Sequence, residues 1–250
     1  MANFHGRYEL KYFLPFDQIF DAIKFVEPYV MPDQHAEING LGVPGYNIRS
    51  IYFDDDKLSL YEEKIIGLQN RRKFRIRGYA KVTEESLVFL EIKYRSRQQV
   101  GKDRAPLELK KVQSILEGKT LLDDIPMPTP YFRANANRFF YNCVLYGYHP
   151  VTTVIYERNP FIGRDDSEVR FTIDTNLRAV DHSHSYQLFA PTQEEAVVLP
   201  GAVLELKFDR LMPEWMRRFL TKFELTQTSI SKYAKCIEQV ILRQPEEEII

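Results

Sequence analysis

Charged and apolar side chains alternate through several stretches of this chain. Arg7-Tyr8-Glu9-Leu10-Lys11-Tyr12, Arg71 to Arg77, Phe89 to Arg95, Val169 to Asp174 and Val203 to Phe208 all follow the pattern. A strand turns successive side chains to opposite faces, so each stretch predicts a strand with one charged and one apolar face. Gly78 and the polar run Thr83-Glu84-Glu85-Ser86 separate the second and third stretches, which predicts a hairpin. Ile48 to Asp54 and Val151 to Tyr156 read as further strands, with Arg158 at or just past the end of the latter.

Elsewhere the period lengthens to that of a helix. Pro15 opens one through about Val30, with Phe16, Ile19, Phe20 and Ile23 as its apolar stripe. Leu58 to Ile66, Leu107 to Leu116, the aromatic-rich Arg133 to Tyr146, and Pro213 to Lys222 are further candidates. A last helix is expected from Ser229 as its cap to about Arg243, with Lys232 in the first turn. Arg95 to Gln99 and Gly101 to Arg104 read as a basic loop leading to another strand or turn. Residues 181–196 read as loop around a short strand over Tyr186 to Phe189. Asp54 to Asp56 and Glu246 to Glu248 read as surface charge.

Composition narrows the class. The 250 residues are 44% hydrophobic and 28% charged, ordinary for a globular chain and enough for one large domain, taken here as residues 1–250. Thirty-four Lys+Arg stand against 35 Asp+Glu, a net charge of -1, so a general positive coat for nucleic acid is excluded. Cys143 and Cys236 lack disulfide or zinc spacing and read as buried thiols. No apolar run is long enough to cross a membrane and residues 1–7 lack a signal-peptide core. The expectation is a soluble cytoplasmic protein without direct membrane insertion.

The charged faces are biased. They carry Arg7, Lys11, Lys73, Arg75, Arg77, Lys93, Arg95, Arg170 and Lys207, against Glu9, Glu91, Asp174 and Glu205. A solvated outer face would explain a single hairpin; recurrence along the chain favours a shared interior. The economical arrangement is an α+β fold, an antiparallel barrel closed or nearly so, with helices over its apolar outside and a charged, water-filled tunnel within. Such a tunnel concentrates polyanions, and arginine suits phosphate. The few carboxylates weaken anion binding unless a divalent cation bridges them to phosphate, which points to metal-assisted phosphoryl transfer.

Glu9-Leu10-Lys11, Arg75-Ile76-Arg77, Glu91-Ile92-Lys93, Arg170-Phe171-Thr172-Ile173-Asp174 and Glu205-Leu206-Lys207 resemble, in order, the motif set of the triphosphate tunnel metalloenzymes. Within that superfamily the chain is similar to the polyphosphate polymerase domain of the vacuolar transporter chaperone family. The further cues are Arg7 to Tyr12, Ser50 to Asp54, Tyr156-Glu157-Arg158 and Ser231-Lys232-Tyr233. The resemblance implies an eight-stranded tunnel and transfer of the ATP γ-phosphate onto polyphosphate or pyrophosphate, with Mn²⁺ or Mg²⁺. By motif, Lys11, Arg75, Arg77, Lys93, Lys102, Arg158, Arg170, Lys207 and Ser231 would hold substrate, Glu205 the metal, and Lys232 would assist transfer at one mouth.

Some readings stay open. Glu9 and Glu91 read as ion-pair partners before metal ligands, Asp174 is balanced between the two, and Arg158 also reads as a solvated strand-end residue. Arg7 stands where hydrolases and cyclases of the superfamily carry a first glutamate, which favours the polymerase branch over a two-metal triphosphatase. The phosphate-sensing and membrane domains joined to the eukaryotic polymerases have no counterpart in these residues, so the expectation is a free-standing enzyme. A tripolyphosphatase or thiamine triphosphatase, and a non-catalytic polyphosphate- or nucleotide-binding module, remain the rival classes.

Overall fold

The computed structural model describes residues 7–38, 42–79, 82–96, 99–182, 189 and 193–242. The strands are β1 (Arg7–Leu14), β2 (Val30–Pro32), β3 (Glu37–Ile38), β4 (Pro44–Asp54), β5 (Asn70–Tyr79), β6 (Leu87–Ser96), β7 (Gln99–Glu108), β8 (His149–Gly163), β9 (Arg170–Asp181), β10 (Glu195–Ala196) and β11 (Ala202–Asp209). The helices are α1 (Ile19–Val26), α2 (Ser59–Ile65), α3 (Leu109–Leu116), α4 (Pro130–Tyr146), α5 (Glu214–Lys222) and α6 (Lys232–Val240). The expected strand over Tyr186 to Phe189 and the acidic tail Glu246 to Glu248 lie outside the described residues, Phe189 excepted.

Eight long strands form one antiparallel path, in the order β1-β11-β9-β8-β4-β5-β6-β7. The register puts the alternating charges in line. Lys11 lies opposite Glu205, Lys207 opposite Arg170, Arg75 opposite Glu91, and Lys93 opposite both Lys73 and Lys102. The sheet curls until β1 and β7, the two ends of the path, come within 8 Å of each other between Cα atoms.

The expected closed barrel is corrected here: β1 and β7 share no ladder. The free edge of β1 is already engaged. Thr228 N donates to Lys11 O at 2.9 Å, and Tyr12 bridges to Gln227. On the other side, Pro106 in β7 has no N–H to give. The segment leading into α6 takes the place a closing ladder would have filled.

Three cores follow from the two faces of the curled sheet. On its outer face, Phe53, Phe74, Ile76, Leu90 and Ile92 pack beneath α3 and α4. Also outside, Leu14, Leu204, Leu206, Phe171 and Ile173 pack beneath α1 and α5. The third core, with Ile48, Tyr52, Val154, Tyr156 and Leu177, lies on the inner face, where α6 inserts Tyr233, Ile237 and Val240. A helix therefore plugs one end of the concavity.

Local signals explain most element boundaries. Thr129 caps α4 by accepting from Phe132 N at 3.2 Å, Pro130 takes the first turn, and Gly147 ends the helix at φ 68°. The helix expected from Pro15 begins as a 3-10 turn over Phe16–Gln18 and runs as α1 only to Val26, because Val30–Pro32 pairs with β8. The cap of α6 is Ser231 rather than Ser229; its hydroxyl accepts from Ala234 N at 3.2 Å. The basic loop expected around residues 95–104 is largely β7, a strand from Gln99 on.

Asp54 is the larger surprise. It is fully buried, not surface charge. Its carboxylate accepts from the backbone N–H of Asp55, Leu60 and Tyr61, each at 2.9 Å, and from Tyr233 Oη at 2.5 Å. One side chain thus ties β4, α2 and α6 together. Removing it leaves buried donors without their charged acceptor, and each such loss costs about 1–3 kcal/mol. Asp54→Ala is expected to lower unfolding free energy by at least about 3 kcal/mol, with Asp54→Asn intermediate because one oxygen still accepts. Urea denaturation of the three proteins checks the order.

Candidate functional site

The inner face holds Lys11 (β1), Lys73, Arg75 and Arg77 (β5), Lys93 (β6), Lys102 and Arg104 (β7), Arg158 (β8), Arg170 (β9), Lys207 (β11) and Lys232 (α6). Its carboxylates are Glu9, Glu91, Asp174 and Glu205. Every residue expected at the site from sequence is on this face or on the α6 plug.

The carboxylates divide the cations among themselves. Glu91, 1% exposed, accepts from Arg75 Nε and Nη2 at 2.7 and 2.5 Å and pairs with Arg104 at 3.2 Å and Lys102 at 3.6 Å. Asp174 takes both arms of Arg158 at 2.7 Å and the Lys232 ammonium at 2.7 Å. Glu205 lies 2.6 Å from Lys207 and 3.5 Å from Arg158. Glu9 meets Lys11 and Lys207 at 3.4 Å and Lys93 at 4.0 Å. The Glu9 and Glu91 readings as ion-pair partners and the ion-pair side of the Asp174 reading match this geometry. Arg158 is not a solvated strand end but an interior residue of β8.

Arg77 and Lys73 meet hydroxyls instead. Arg77 donates to Ser50 Oγ at 3.1 Å and Tyr156 Oη at 3.3 Å, and Lys73 donates to Ser231 Oγ at 2.7 Å. Arg170 is the outlying member, a third exposed, with Asp33 at 4.0 Å near the rim. Sequence reasoning put Lys73 on the charged face without a role in the site, and it missed Arg104. Arg104 also stands 3.5 Å over the Phe89 ring, and its cue was parity with Lys102 in a strand not yet recognised.

The electrostatics follow from this geometry. Burial works against the charged form of Glu205, but Lys207, Lys11 and Arg158 override it and hold the carboxyl well below its usual range. Burial raises Asp174 too, and Arg158 and Lys232 bring it down. Lys73 is pushed well below an ordinary amine, first by burial and then by Lys11, Lys93, Arg75 and Arg71. Glu9 pulls Lys93 upward, but burial, Arg75 and Lys207 together bring it down to about 7.

A divalent cation fits one place on donor chemistry. Glu205 Oε1 is buried, with the Lys207 ammonium at 2.6 Å as its charged neighbour. Glu9 shares Lys207 with it. Two carboxylates amid a cluster of cations suit Mg²⁺ or Mn²⁺, which typically use one or two carboxylates and complete their shell with phosphate oxygens. Among the described residues no group of three or more His, Cys, Asp or Glu side chains gathers to hold a metal without such help.

Residues 6–241 match the VTC domain family model, and the chain belongs to that family. It is 26% identical over 231 residues to vacuolar transporter chaperone complex subunit 4 of Schizosaccharomyces pombe, covering 77% of this chain and 31% of the relative. The Trypanosoma brucei brucei subunit 4 is 26% identical over 242 residues, covering 84% and 30%. The chain therefore spans about a third of the length of these relatives. Among solved structures, a candidate adenylyl cyclase from Hippeastrum with a dominant triphosphatase activity shares the fold. Its TM-score is 0.50 at 14% identity, over 91% of this chain and 93% of that one. No described helix is long and apolar enough to cross a membrane.

The depressed lysine gives a pH test. A triphosphate bound beside Lys93 would restore its ammonium, raising its pKa from about 7 toward the ordinary lysine value. Below pH 7 the group is already charged and binding takes up nothing there. Above it, binding takes up a proton, so affinity falls as pH rises, by at most about tenfold per unit for that proton. Tripolyphosphate affinity from about pH 6 to about pH 8.5 should fall more steeply for the wild type than for Lys93→Met. The difference between the two proteins cancels the ligand's own titration, and identical slopes would contradict the assignment.

Proposed function

We propose that this domain transfers the γ-phosphate of ATP onto a growing inorganic polyphosphate chain, releasing ADP, with Mn²⁺ or Mg²⁺ as cofactor. The observation that carries the reading is the row of directly opposed cations Lys73, Lys93 and Lys102 across β5, β6 and β7, with Lys207 opposite Arg170 on the far wall. Like charges directly opposite on adjacent strands are destabilising. A polyanion held in the concavity relieves that repulsion. Membership of the VTC domain family supports the same direction.

On this reading, the eight long strands act as a tunnel. Arg77, Lys11, Lys93 and Lys207 neutralise phosphate oxygens, while Arg75 and Arg158, already fixed by Glu91 and Asp174, hold their forks rigid for a second contact. Arg170 and Lys102 guide substrate at the exposed rim. Glu205, with Glu9, would hold the metal, which when bound supplies charge neutralisation between carboxylate and phosphate. Ser231 and Lys232 meet the transferring group where α6 closes one end. Fixed cations suffice because phosphoryl transfer needs positioning and charge stabilisation more than covalent help. ATP as donor makes the cytoplasm the compartment of the reaction; nucleic acid is not a substrate.

The carboxylate inventory favours transfer over two-metal hydrolysis. Glu91 and Asp174 are clamped by guanidinium hydrogen bonds of 2.7 Å from Arg75 and Arg158, whereas Glu9 meets its cations no closer than 3.4 Å and Arg158 stands 3.5 Å from Glu205, so among the described residues Glu205 and Glu9 are the carboxylates open to a metal. Incubation with ATP and Mn²⁺ followed by product analysis tests the proposal. ADP with long-chain polyphosphate is expected; stoichiometric free phosphate would replace it with a triphosphatase, and no turnover with a binding module.

Glu205→Gln separates metal from substrate. Lys207 keeps Glu9 and Arg158 keeps Asp174, so the fold survives the change. Metal-free nucleotide binding should persist, while the metal titration of activity collapses. A metal titration unchanged from wild type would reduce Glu205 to an ion-pair partner.

A further inference from the structure

Beside the α6 cap lies a cavity of about 110 Å³ edged by Lys11, Lys64, Arg71, Lys73, Lys93 and Ser231. Ser231 is 7% exposed and Lys73 Nζ touches its hydroxyl at 2.7 Å, so a buried alcohol sits against a half-buried amine at the edge of a cationic cavity. We propose that Ser231 is itself a phosphoryl acceptor, with Lys73 as its general base, so that the enzyme is phosphorylated by ATP when no other acceptor is present. The inference rests on the proposed phosphoryl transfer and assigns that site an acceptor within the chain.

Three observations carry it. The first is the hydroxyl–amine contact, the arrangement by which a lysine activates a serine. The second is the surroundings of the amine: burial, and then Lys11, Lys93, Arg75 and Arg71, all disfavour its ammonium form. No carboxylate contact competes for it among the described residues. The third is the destination. Ser231 caps a nine-residue helix, where backbone N–H groups favour an anion, and half of the residues lining the cavity beside it are cations, against the single carboxylate of Glu9. A phosphate on Ser231 would thus stand in a place already built for one.

The step balances with the groups present. Ser231 Oγ forms a bond to the γ-phosphorus of ATP as its proton passes to Lys73 Nζ. The bond from that phosphorus to the β–γ bridging oxygen breaks, and ADP leaves. The products are phosphoserine, a Lys73 ammonium ion-paired to it, and ADP.

The experiment is a single-turnover incubation of the intact protein with γ-labelled ATP and Mn²⁺, without added polyphosphate, quenched in acid and read by intact mass and peptide mapping. One acid-stable phosphoryl group on Ser231 is expected. Ser231→Ala should lose it, Ser231→Thr should recover it, since threonine keeps both cap and hydroxyl, and Lys73→Met should slow it by about 10²-fold or more. Acid-labile label on Lys73 or Lys232, or label of equal rate in Lys73→Met, overturns the proposal. So does ADP and polyphosphate formation with Ser231 unmodified, which leaves the polymerase reading intact. A parallel incubation with added polyphosphate separates the two readings: labelled Ser231 with no chain extension there keeps the acceptor and removes the polymerase reading. Absence of both label and turnover overturns both.

Discussion

Repulsion among the cations of the concave face is the constraint on which the rest of this structure depends. Two unit charges about 4 Å apart repel by roughly 4 kcal/mol at the effective dielectric of protein sites. Lys73, Lys93 and Lys102 face one another across three strands, and Arg71 faces Arg95. The sheet can curl only because four interior carboxylates are interleaved with the cations and because the outer face is strongly apolar. Phe74, Ile76, Leu90 and Ile92 are all at 0–1% exposure, on the same two strands that carry the lysines and arginines. Burying such side chains contributes about 1.5–3 kcal/mol each, so the outer cores can offset the inner repulsion.

The carboxylates do more than balance charge. They also cross-link separate elements of the inner face. Glu91 joins β6 to β5 and β7, Asp174 joins β9 to β8 and α6, and Glu9 draws Lys207 from β11 and Lys93 from β6 toward β1. This last contact matters because β1 and β7 lack a ladder: at the open seam of the sheet, electrostatics and the segment before α6 replace backbone pairing. A seam held by side chains is easier to part than one held by a ladder.

What was legible in the sequence was whatever repeats with a period of two. The charged parity of Glu9-Lys11, Arg75-Arg77, Glu91-Lys93, Arg170-Asp174 and Glu205-Lys207 located five strands and their common face, because alternation is imposed by strand geometry itself. Two things were hidden. β7 carries Gly101 and Pro106 and alternates poorly, so it read partly as loop, and Arg104 was missed with it. Asp54 sits in a run of three aspartates that looks like surface charge. Its burial follows from where α2 and α6 dock, which no local pattern encodes. Non-closure was hidden for the same reason: the competitor for the edge of β1 comes from more than two hundred residues away.

The placement of Lys232 shows how these constraints combine. A lysine at the first position of a helix opposes the helix dipole and is unfavourable on local grounds. Here Asp174 answers it at 2.7 Å, and the Tyr156 ring lies 4.7 Å from the ammonium. The next residue, Tyr233, stacks on Tyr52 at 4.8 Å and reaches Asp54, while the Tyr52 hydroxyl accepts from Arg75 at 3.0 Å. Three consecutive residues at the start of α6 therefore have three distinct anchors: Ser231 on Lys73, Lys232 on Asp174, Tyr233 on Asp54. A plug that only filled space would need the apolar contacts of Ile237 and Val240 and nothing more. Fixing its first turn by three polar anchors sets the direction of its N–H groups and of the ammonium relative to the arginines of β5. That is what a helix end must have if it is to meet phosphate rather than simply close a barrel.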